Sequence, residues 1–443
     1  MIASQGSVSR ILTDTDVRSL VAETFSKKDV RGERVLVIVP DHTRTAPLGL
    51  FFRAIHDEIG GRTKKLDFLI ALGTHPAIDA ERIDRLFGFE PGERERRYPG
   101  TRVFNHRWDD PDALQHVGTI GADELEEISS GLLREQVPVE VNRLVFEYDL
   151  LVICGPTFPH EVVGFSGGNK YFFPGIAGPE VLNLFHWLGA LITNPVIIGT
   201  KDTPVRKVID RAAALIPRDK LCMSMVVTHE GLNGLYVGSP EQAWSHAADL
   251  SAKLHIVYKD HAFRQALSMA PEMYDDIWTA AKAMYKLEPV IADGGEIIVY
   301  APHVTEVSYM HGKLLDNVGY HVRDYFVKQW ERFRHVPRCV LAHATHVKGI
   351  GTYENGAEKP RIRVVFATGI PEERCRRINQ GYRDPRTIDP EDYADREDEG
   401  ILLVRKAGEM LYKLKDGTAP GLSSSRPCHK KTPPGPRKPG RRG

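Results

Sequence analysis

Three short apolar runs in the N-terminal part of the chain each end directly in a polar or glycine-bearing turn. They are VLVIVPDHTR (35–44), LDFLIALGTH (66–75) and DLLVICGPTFPH (149–160). Stretches with helical spacing lie between them at 48–60 and 78–89. Buried strands that alternate with helices are typical of a parallel sheet. The pattern therefore predicts an α/β unit.

Polar side chains follow each of these predicted strands. Asp41 and Arg44 follow the first, His75 the second and His160 the third. In open α/β sheets, ligands bind at the carboxyl ends of the strands. The four residues are therefore predicted to converge on one crevice, although they lie far apart in the sequence.

The segment 159–186, PHEVVGFSGGNKYFFPGIAGPEVLNLFH, combines chemistry-bearing side chains with clustered glycines: His160, Lys170 and His186 surround Gly164, Gly167 and Gly168. Backbone that glycine leaves bare, next to an amine, predicts a cofactor or anion site. The segment departs from a P-loop, because Asn169 precedes the lysine and Tyr171 replaces the magnesium-binding hydroxyl. A phosphate-cradling loop and a tight turn with a solvated lysine remain alternatives.

Candidate roles follow for the ionisable residues, each beside a purely structural alternative. His75 and His160 are candidate acid/base groups on opposite sides of a substrate. Arg44 and Lys282 are candidate carboxylate binders, and Trp278 is either core or a pocket wall.

Metal chemistry is predicted only at His186. It lies in a predicted helix at 179–191 with no second ligand one turn away, so most of a coordination sphere would come from a cofactor. His343 and His346 are interpreted as surface or structural residues.

A second α/β unit is predicted from about residue 265, which places domains at 1–264 and 265–418 and a tail at 419–443. The segment 274–302 is interpreted as a helix, a Gly-Gly turn and a buried strand. Further strands are predicted at 339–344, 361–369 and 401–406, and a hairpin at 221–238.

Composition changes this picture at the C-terminus. The chain has 59 basic and 59 acidic residues, but the tail 421–443 holds seven Lys/Arg and no acid, which leaves the body near −7. An acidic body is a poor nucleic-acid binder, and a tail rich in Pro, Gly and Ser is predicted to be disordered. Five scattered cysteines, no apolar leader and no 18-residue apolar run predict a cytoplasmic protein without a membrane partner.

Together these motifs resemble the nickel-dependent lactate racemase family of 2-hydroxyacid racemases and epimerases. The resemblance runs from about residue 35 to 410 and is most specific at PHEVVGFSGGNKYFFPGIAG…H, with DHTR, LGTH and IWTAAKA…ADGGEIIVYAP in the same order. It implies a crevice between two α/β domains that holds a nickel-pincer nucleotide (pyridinium-3,5-bisthiocarboxylic acid mononucleotide nickel), a 2-hydroxyacid substrate and cofactor-maturation enzymes as partners.

The resemblance also implies residue roles. Lys170 would hold the cofactor covalently, His186 would ligate nickel, and His75 and His160 would be the paired acid/base histidines. The implied cofactor and substrate neighbours are Gly167, Gly168, Asp41, Arg44, Lys282, Trp278 and Thr279.

Trp278 and Thr279 stand where lactate racemases carry a Tyr-Gln pair. The expected function is therefore racemisation or 2-epimerisation of a lactate-like acid or of a larger polar one such as an aldonate. A phosphate- or nucleotide-binding hydrolase and a non-catalytic cofactor-binding protein are the alternatives.

Overall fold

The computed structural model describes residues 1–418. The tail predicted at 419–443, including Cys428, lies outside the described residues. The described chain has a mixed α/β fold built on two large sheets, which confirms the predicted fold class. Within residues 1–418, no helix combines the length and apolar character needed to cross a membrane.

The strands are β1 (Ala3–Gly6), β2 (Arg34–Val39), β3 (Lys65–Ile70), β4 (Val103–Asn105), β5 (Leu114–Ile120), β6 (Val137–Asn142), β7 (Leu150–Pro156), β8 (Pro159–His160), β9 (Gly164–Phe165), β10 (Asp219–Thr228), β11 (Gly231–Gly238), β12 (Ile256–Lys259), β13 (Phe263–Met269), β14 (Ile291–Ala301), β15 (Gly351–Glu354), β16 (Ala357–Pro360), β17 (Arg363–Thr368), β18 (Gly381–Tyr382), β19 (Ile401–Val404) and β20 (Leu411–Leu414).

The helices are α1 (Asp14–Lys27), α2 (Leu48–Ile59), α3 (Ala80–Leu86), α4 (Glu93–Arg97), α5 (Ala122–Ile128), α6 (Pro179–Ile192), α7 (Asn194–Ile197), α8 (Pro204–Ala214), α9 (Pro240–His255), α10 (Ile277–Ala280), α11 (Lys282–Tyr285), α12 (Gly312–Val318), α13 (Arg323–Lys328), α14 (Trp330–Phe333), α15 (Arg338–Lys348) and α16 (Glu372–Arg377).

The first large sheet has seven strands in the order β1-β11-β10-β7-β2-β3-β4. The five strands from β10 to β4 run parallel, and β11 and β1 add an antiparallel edge. The β10–β11 pair confirms the hairpin predicted at 221–238. Because β2, β3 and β7 are parallel neighbours, their carboxyl ends meet at one edge of the sheet.

Strand β2 shows why its sequence is continuously apolar. Val35 and Val37 pack with α1 and α2 on one face of the sheet, whereas Leu36 and Ile38 pack with α6 and α8 on the other. Successive side chains point to opposite faces of a strand. A strand covered on both faces therefore needs an apolar side chain at every position.

The second large sheet is entirely parallel, with strand order β18-β17-β14-β13-β19. It begins with β13 at Phe263, two residues before the boundary predicted at 265. The chain then returns to the first unit, because β20 pairs in parallel with β12. Helix α15 also packs on α6.

Two predictions in the second half are wrong in detail. The segment 339–344 is part of helix α15, not a strand; Cys339 through Val347 are all buried, so this helix shows no polar face from which a helical period could be recognised. The Gly-Gly pair at 294–295 lies within β14, where Gly294 has φ +77° and the pairing with β13 shifts register. It forms a bulge inside the strand, not a turn before it.

Candidate functional site

The loops that follow β2, β3 and β7 enclose a cavity of about 140 Å³, here called the inner cavity. Helix α6 and the α10–α11 segment of the second unit complete its wall. Of the predicted site residues, the structure brings to this wall Asp41, Arg44, His75, His160, Gly167, Lys170, His186, Trp278, Thr279 and Lys282. Gly168 is the exception and does not line the cavity.

His75 and Asp41 form a hydrogen-bonded pair at the ends of β3 and β2. Nδ1 of His75 donates to Oδ2 of Asp41, and Oδ1 of Asp41 accepts from the hydroxyl of Thr43 at 2.6 Å. Burial alone would raise the pKa of Asp41, but its interactions with His75, Arg44 and Thr43 hold that pKa well below its usual value. An ionised Asp41 fixes the proton of a neutral His75 on Nδ1, so that Nε2 is free to accept a proton.

His160 has the opposite arrangement. Its Nδ1 accepts a hydrogen bond from the backbone N–H of Val162 at 3.2 Å, so a neutral ring carries its proton on Nε2. Burial, together with the nearby charges of Lys170 and Arg44, holds the pKa of His160 well below its usual value. The ring is therefore neutral at pH 7, with Nε2–H as a donor.

Lys170 lies in a short 3₁₀ turn, Gly168–Tyr171, directly after the glycine loop. Burial, reinforced by the charge of Arg44, lowers the pKa of its amine to about 7. An amine with this pKa is largely deprotonated just above neutral pH and can act as a nucleophile. Covalent attachment of a cofactor at Lys170, as predicted, requires such a deprotonated amine.

The glycine loop is held from behind by residues that the sequence analysis missed. The guanidinium of Arg206 donates to the carbonyls of Phe165 and Gly167, and Nε1 of Trp244 donates to the carbonyl between them at 2.8 Å. Arg206 also stacks over the indole of Trp244, with its Cζ 4.1 Å from the ring centroid. Three successive carbonyls are thus fixed away from the inner cavity, which sets the direction in which Lys170 leaves the backbone.

Gly168 belongs to this packing and not to the cavity wall. It has φ +58°, and a Cβ there would lie 2.8 Å from the Cβ of Trp244. Glycine is needed because helix α9, which carries Trp244, approaches the loop closely. Nothing local in the sequence marks Arg206 or Trp244, because their partners lie about 40 and 78 residues away.

His186 presents one free ring nitrogen. Its Nδ1 donates to the carbonyl of Leu182 at 2.7 Å within helix α6. Burial lowers the pKa of His186 to about 4, despite that hydrogen bond, and a neutral ring leaves Nε2 as a potential ligand. Within residues 1–418, no group of three or more His, Cys, Asp or Glu side chains is arranged to hold a metal ion.

His343 and His346 are buried in helix α15, which excludes a surface role and leaves the structural one of the two interpretations. The ring of His343 stacks on the indole of Trp278, with centroids 4.1 Å apart. His311 contacts the same indole at 4.8 Å. Trp278 is therefore a wall residue fixed between two imidazoles, and burial holds the pKa of both well below the usual value.

Lys282 is a buried lysine on the wall of the inner cavity. It is 8% exposed, and within the described residues its Nζ has no hydrogen-bond partner. The amine lies 4.2 Å from the ring centroid of Tyr274. Burial and the charge of Arg44 hold its pKa well below the usual value. A carboxylate bound beside Lys282 and Arg44 would supply the missing partner and favour the protonated amine.

Comparison with known proteins identifies the family. Residues 16–196 match the lactate racemase N-terminal domain. The chain is 26% identical over 274 residues to the lactate racemase of Thermoanaerobacterium thermosaccharolyticum and 23% identical over 278 residues to that of Lactiplantibacillus plantarum. The chain belongs to the lactate racemase family.

The alignments with the two curated lactate racemases cover 61% of this family member and 60% and 61% of those proteins, respectively. Solved structures extend the similarity along the chain. A crystal structure of a Thermotoga maritima protein has a TM-score of 0.84 and 35% identity, covering 91% of this chain and 99% of that one. The lactate racemase apoprotein of T. thermosaccharolyticum shares the fold, with a TM-score of 0.64, 18% identity, and coverage of 86% and 87%.

The inner cavity of this lactate racemase family member fits the cofactor that the family resemblance implies. Lys170 offers an amine with a pKa of about 7, and His186 offers a single ring nitrogen. Gly73 leaves bare backbone on the wall, because a Cβ there would have no atom closer than 4.0 Å. One histidine with no clustered partner suits a metal whose other ligands arrive with an organic group.

Proposed function

We propose that this protein is an isomerase, a nickel-pincer-dependent racemase or 2-epimerase of 2-hydroxyacids. The observation that carries the proposal is that two imidazoles line the same cavity and differ in which ring nitrogen carries the proton. His75 presents an acceptor at Nε2 and His160 presents a donor. Inversion at a carbon that bears a hydroxyl needs one group that takes the hydroxyl proton and another that gives one on the opposite side.

Lys170 would hold the nucleotide covalently, and His186 would ligate its nickel. When bound, the nucleotide supplies a reversible hydride acceptor, so that the substrate carbon becomes planar before hydride returns to either face. The loop held by Arg206 and Trp244 fixes where the lysine enters the inner cavity.

The chain's own residues bind and orient the acid. Arg44 and Lys282, whose amine has no hydrogen-bond partner within residues 1–418, take the substrate carboxylate. Asp41 holds the proton of His75 on Nδ1, so that Nε2 accepts the proton from the substrate hydroxyl, and the carboxylate stabilises the imidazolium formed. For inversion, His160 has to be an imidazolium in the substrate complex, and its Nε2–H then protonates the new hydroxyl oxygen on the other side, which leaves a neutral imidazole.

After one inversion, His75 carries an extra proton and His160 has lost one. Turnover in the opposite direction, or exchange with solvent, restores both rings. Glu161 assists His160, because its Oε2 lies 3.3 Å from Nδ1 and would stabilise the positive charge of the imidazolium. The two histidines thus exchange roles for the two configurations of the substrate.

The test begins with protein produced together with the cofactor-maturation enzymes. Intact mass should show one adduct at Lys170 and metal analysis about one nickel per chain, and chiral chromatography should show inversion of a 2-hydroxyacid. Lys170→Arg should lose the adduct, and His186→Ala should lose nickel. His160→Ala should keep both and lose turnover by roughly 100- to 10,000-fold, the usual contribution of a general acid or base.

Lys286→Met is the matched control for the attachment site. This second buried lysine also has its pKa lowered to about 7, mainly by burial, but its amine donates to the carbonyl of Glu409 at 2.8 Å. The variant should still form the adduct. Protein that carries neither adduct nor nickel would refute the proposal, and hydrolysis of a phosphate ester instead would favour the alternative hydrolase.

A further inference from the structure

A second, larger cavity of about 450 Å³ adjoins the inner one and is here called the outer cavity. Its wall comes from the loops that follow β2 and β3 and from two segments of the second unit, 275–279 and 308–311. The outer cavity holds none of the groups assigned above to the cofactor, so the proposed reaction leaves it without a role.

The two cavities share four wall residues: Thr74, His75, Trp278 and Thr279. His75 therefore stands at the junction. A substrate whose hydroxyl lies against His75 and whose carboxylate lies against Arg44 and Lys282 has its carbinol carbon close to this junction. The outer cavity adjoins the junction and offers space for the remaining substituent.

The size of the outer cavity exceeds what lactate needs. A methyl group occupies about as much space as one water molecule, roughly 30 Å³, whereas the cavity offers about 450 Å³. A substituent of several carbon atoms would fill it and displace water from its apolar wall, which includes Ile78, Trp278 and Met310.

The two cavities differ in their charged groups. The inner wall carries Arg44, Lys170 and Lys282 together with the acids Asp41 and Glu161. Asp275 and Asp276 stand on the outer wall, and its Arg82 lies 3.7 Å from Asp79. A second carboxylate on the substrate would lie close to these two acids, which disfavours a dicarboxylic acid.

The polar groups on the outer wall suit neutral partners. His311 is 7% exposed, its Nε2 has no hydrogen-bond partner within residues 1–418, and burial lowers its pKa to about 4. Thr74 adds a hydroxyl, and Tyr309, which is 60% exposed, stands at the rim. A neutral imidazole and a hydroxyl both bind uncharged hydrogen-bonding groups.

We propose that the outer cavity binds the substituent of the substrate beyond its carbinol carbon, and that the preferred substrates are 2-hydroxyacids with an extended, uncharged substituent. Lactate and 2-hydroxy dicarboxylic acids are then poor substrates. This inference rests on the proposed function. It names Trp278, Thr279, Tyr309 and His311 as the residues that select the substrate.

The first measurement compares kcat/KM of the cofactor-loaded protein for lactate, 2-hydroxyhexanoate, a polyhydroxylated six-carbon 2-hydroxyacid and malate. One well-buried methylene is worth roughly 10-fold or more in kcat/KM. At least one six-carbon acid should therefore exceed both lactate and malate by about 10-fold or more.

The second measurement fills the cavity. Ala77 is an exposed residue on the outer wall, and Ala357 is an exposed residue in the β15–β16 hairpin that lines neither cavity. Ala77→Trp should lower kcat/KM for the preferred six-carbon acid by about 10-fold and change that for lactate less than twofold. Ala357→Trp should change neither, and thermal melting of both variants checks that they fold.

A binding measurement without the cofactor separates this inference from the proposed function. Titration of the apoprotein with each acid should change tryptophan fluorescence most for the preferred six-carbon acid. The change should be lost in Trp278→Phe and weakened in Ala77→Trp.

Each outcome decides one of the two proposals. Lactate turned over as well as both six-carbon acids would overturn the inference and leave the proposed function standing, and a preference for malate would overturn the argument from charge. If the loaded protein inverted no acid, the proposed function would fail. The fluorescence titration would then decide whether the outer cavity binds extended, uncharged acids, and equal signals for all four acids would overturn the inference.

Discussion

The inner and outer cavities share a wall but are built in different ways. The inner cavity takes most of its wall from one sheet edge and one helix, and its reactive groups are deeply buried; Asp41, His160 and Lys282 are 4, 7 and 8% exposed. The outer cavity is formed by loops of both units, and its rim residues Tyr309 and Met310 are 60 and 42% exposed. Burial tunes the chemistry of the inner cavity, and loop surface provides selection in the outer one.

Burial in the inner cavity has a measurable consequence. Lys170 and Lys286 both have pKa values lowered to about 7, chiefly because water is excluded from their amines. Such groups destabilise the folded protein wherever the unfolded chain would be protonated. Buried groups with strongly shifted pKa values cluster at functional sites.

The largest expected effect concerns the amine of Lys170. Acetylation of the apoprotein at this residue, followed by peptide mass spectrometry, should reach half its maximal rate near pH 7, because burial and Arg44 lower the pKa to about 7. An ordinary lysine titrates near 10.4, so the neutral fraction at pH 7 differs by roughly 1,000-fold. The lowered pKa also affects the free energy of unfolding. Burial of Lys170 reduces that free energy by its full amount below pH 7, and the reduction disappears as the pH rises towards 10.5.

The control for this profile is Lys170→Arg, in which the phase near pH 7 should vanish. A half-maximal rate above pH 9 would contradict the description of the inner cavity as a site tuned by burial.

A smaller effect is expected at Asp41, which holds the proton of His75 on Nδ1. Asp41→Asn in the loaded enzyme should lower kcat on the order of 100-fold with little change in KM, because the neutral amide no longer stabilises the imidazolium. Asp67→Asn is the matched control. Asp67 is also buried and hydrogen-bonded, to the hydroxyl of Tyr148 at 2.6 Å, but it lines neither cavity. Equal losses of kcat in the two variants would point to a general effect on folding.

The smallest effect is expected at the rim of the outer cavity. Tyr309→Ala should raise KM for the preferred acid by roughly 3- to 10-fold and leave lactate unchanged, because one aromatic contact contributes about 1 kcal/mol. Tyr258→Ala, which removes a tyrosine that is 51% exposed in β12, should change neither value. A loss of kcat in Tyr309→Ala would instead extend the reactive site into the outer cavity.

The fold of the first unit was largely predictable because its strands are buried on both faces. Val35 to Val39 are apolar at every position. Such a run predicts a buried parallel strand from the local sequence alone. The same lack of a polar face explains why the sequence predicts a strand at 339–344, because a fully buried helix has the same continuous apolar pattern. Local periodicity identifies an element only when one of its faces meets water.

The residues of the candidate site also differ in whether the local sequence identifies them. Asp41, His75, His160 and Lys170 were found because each directly follows a predicted strand or a glycine cluster. Lys282 was a candidate carboxylate binder from its residue type, but its burial without a hydrogen-bond partner among residues 1–418 is a property of the packed structure. Arg206, whose contacts reach about 40 residues back along the chain, had no sequence signal.

The sequence by itself determined the strand-and-turn plan and the residues of the reactive set, because the chemistry depends on residue type and the strand ends on local hydrophobic patterning. Only the tertiary structure decided which ring nitrogen of His75 carries the proton, how far burial lowers the pKa of Lys170, and that a second cavity lies beyond His75. These properties depend on contacts between segments up to hundreds of residues apart, and such contacts exist only once the two units have packed together.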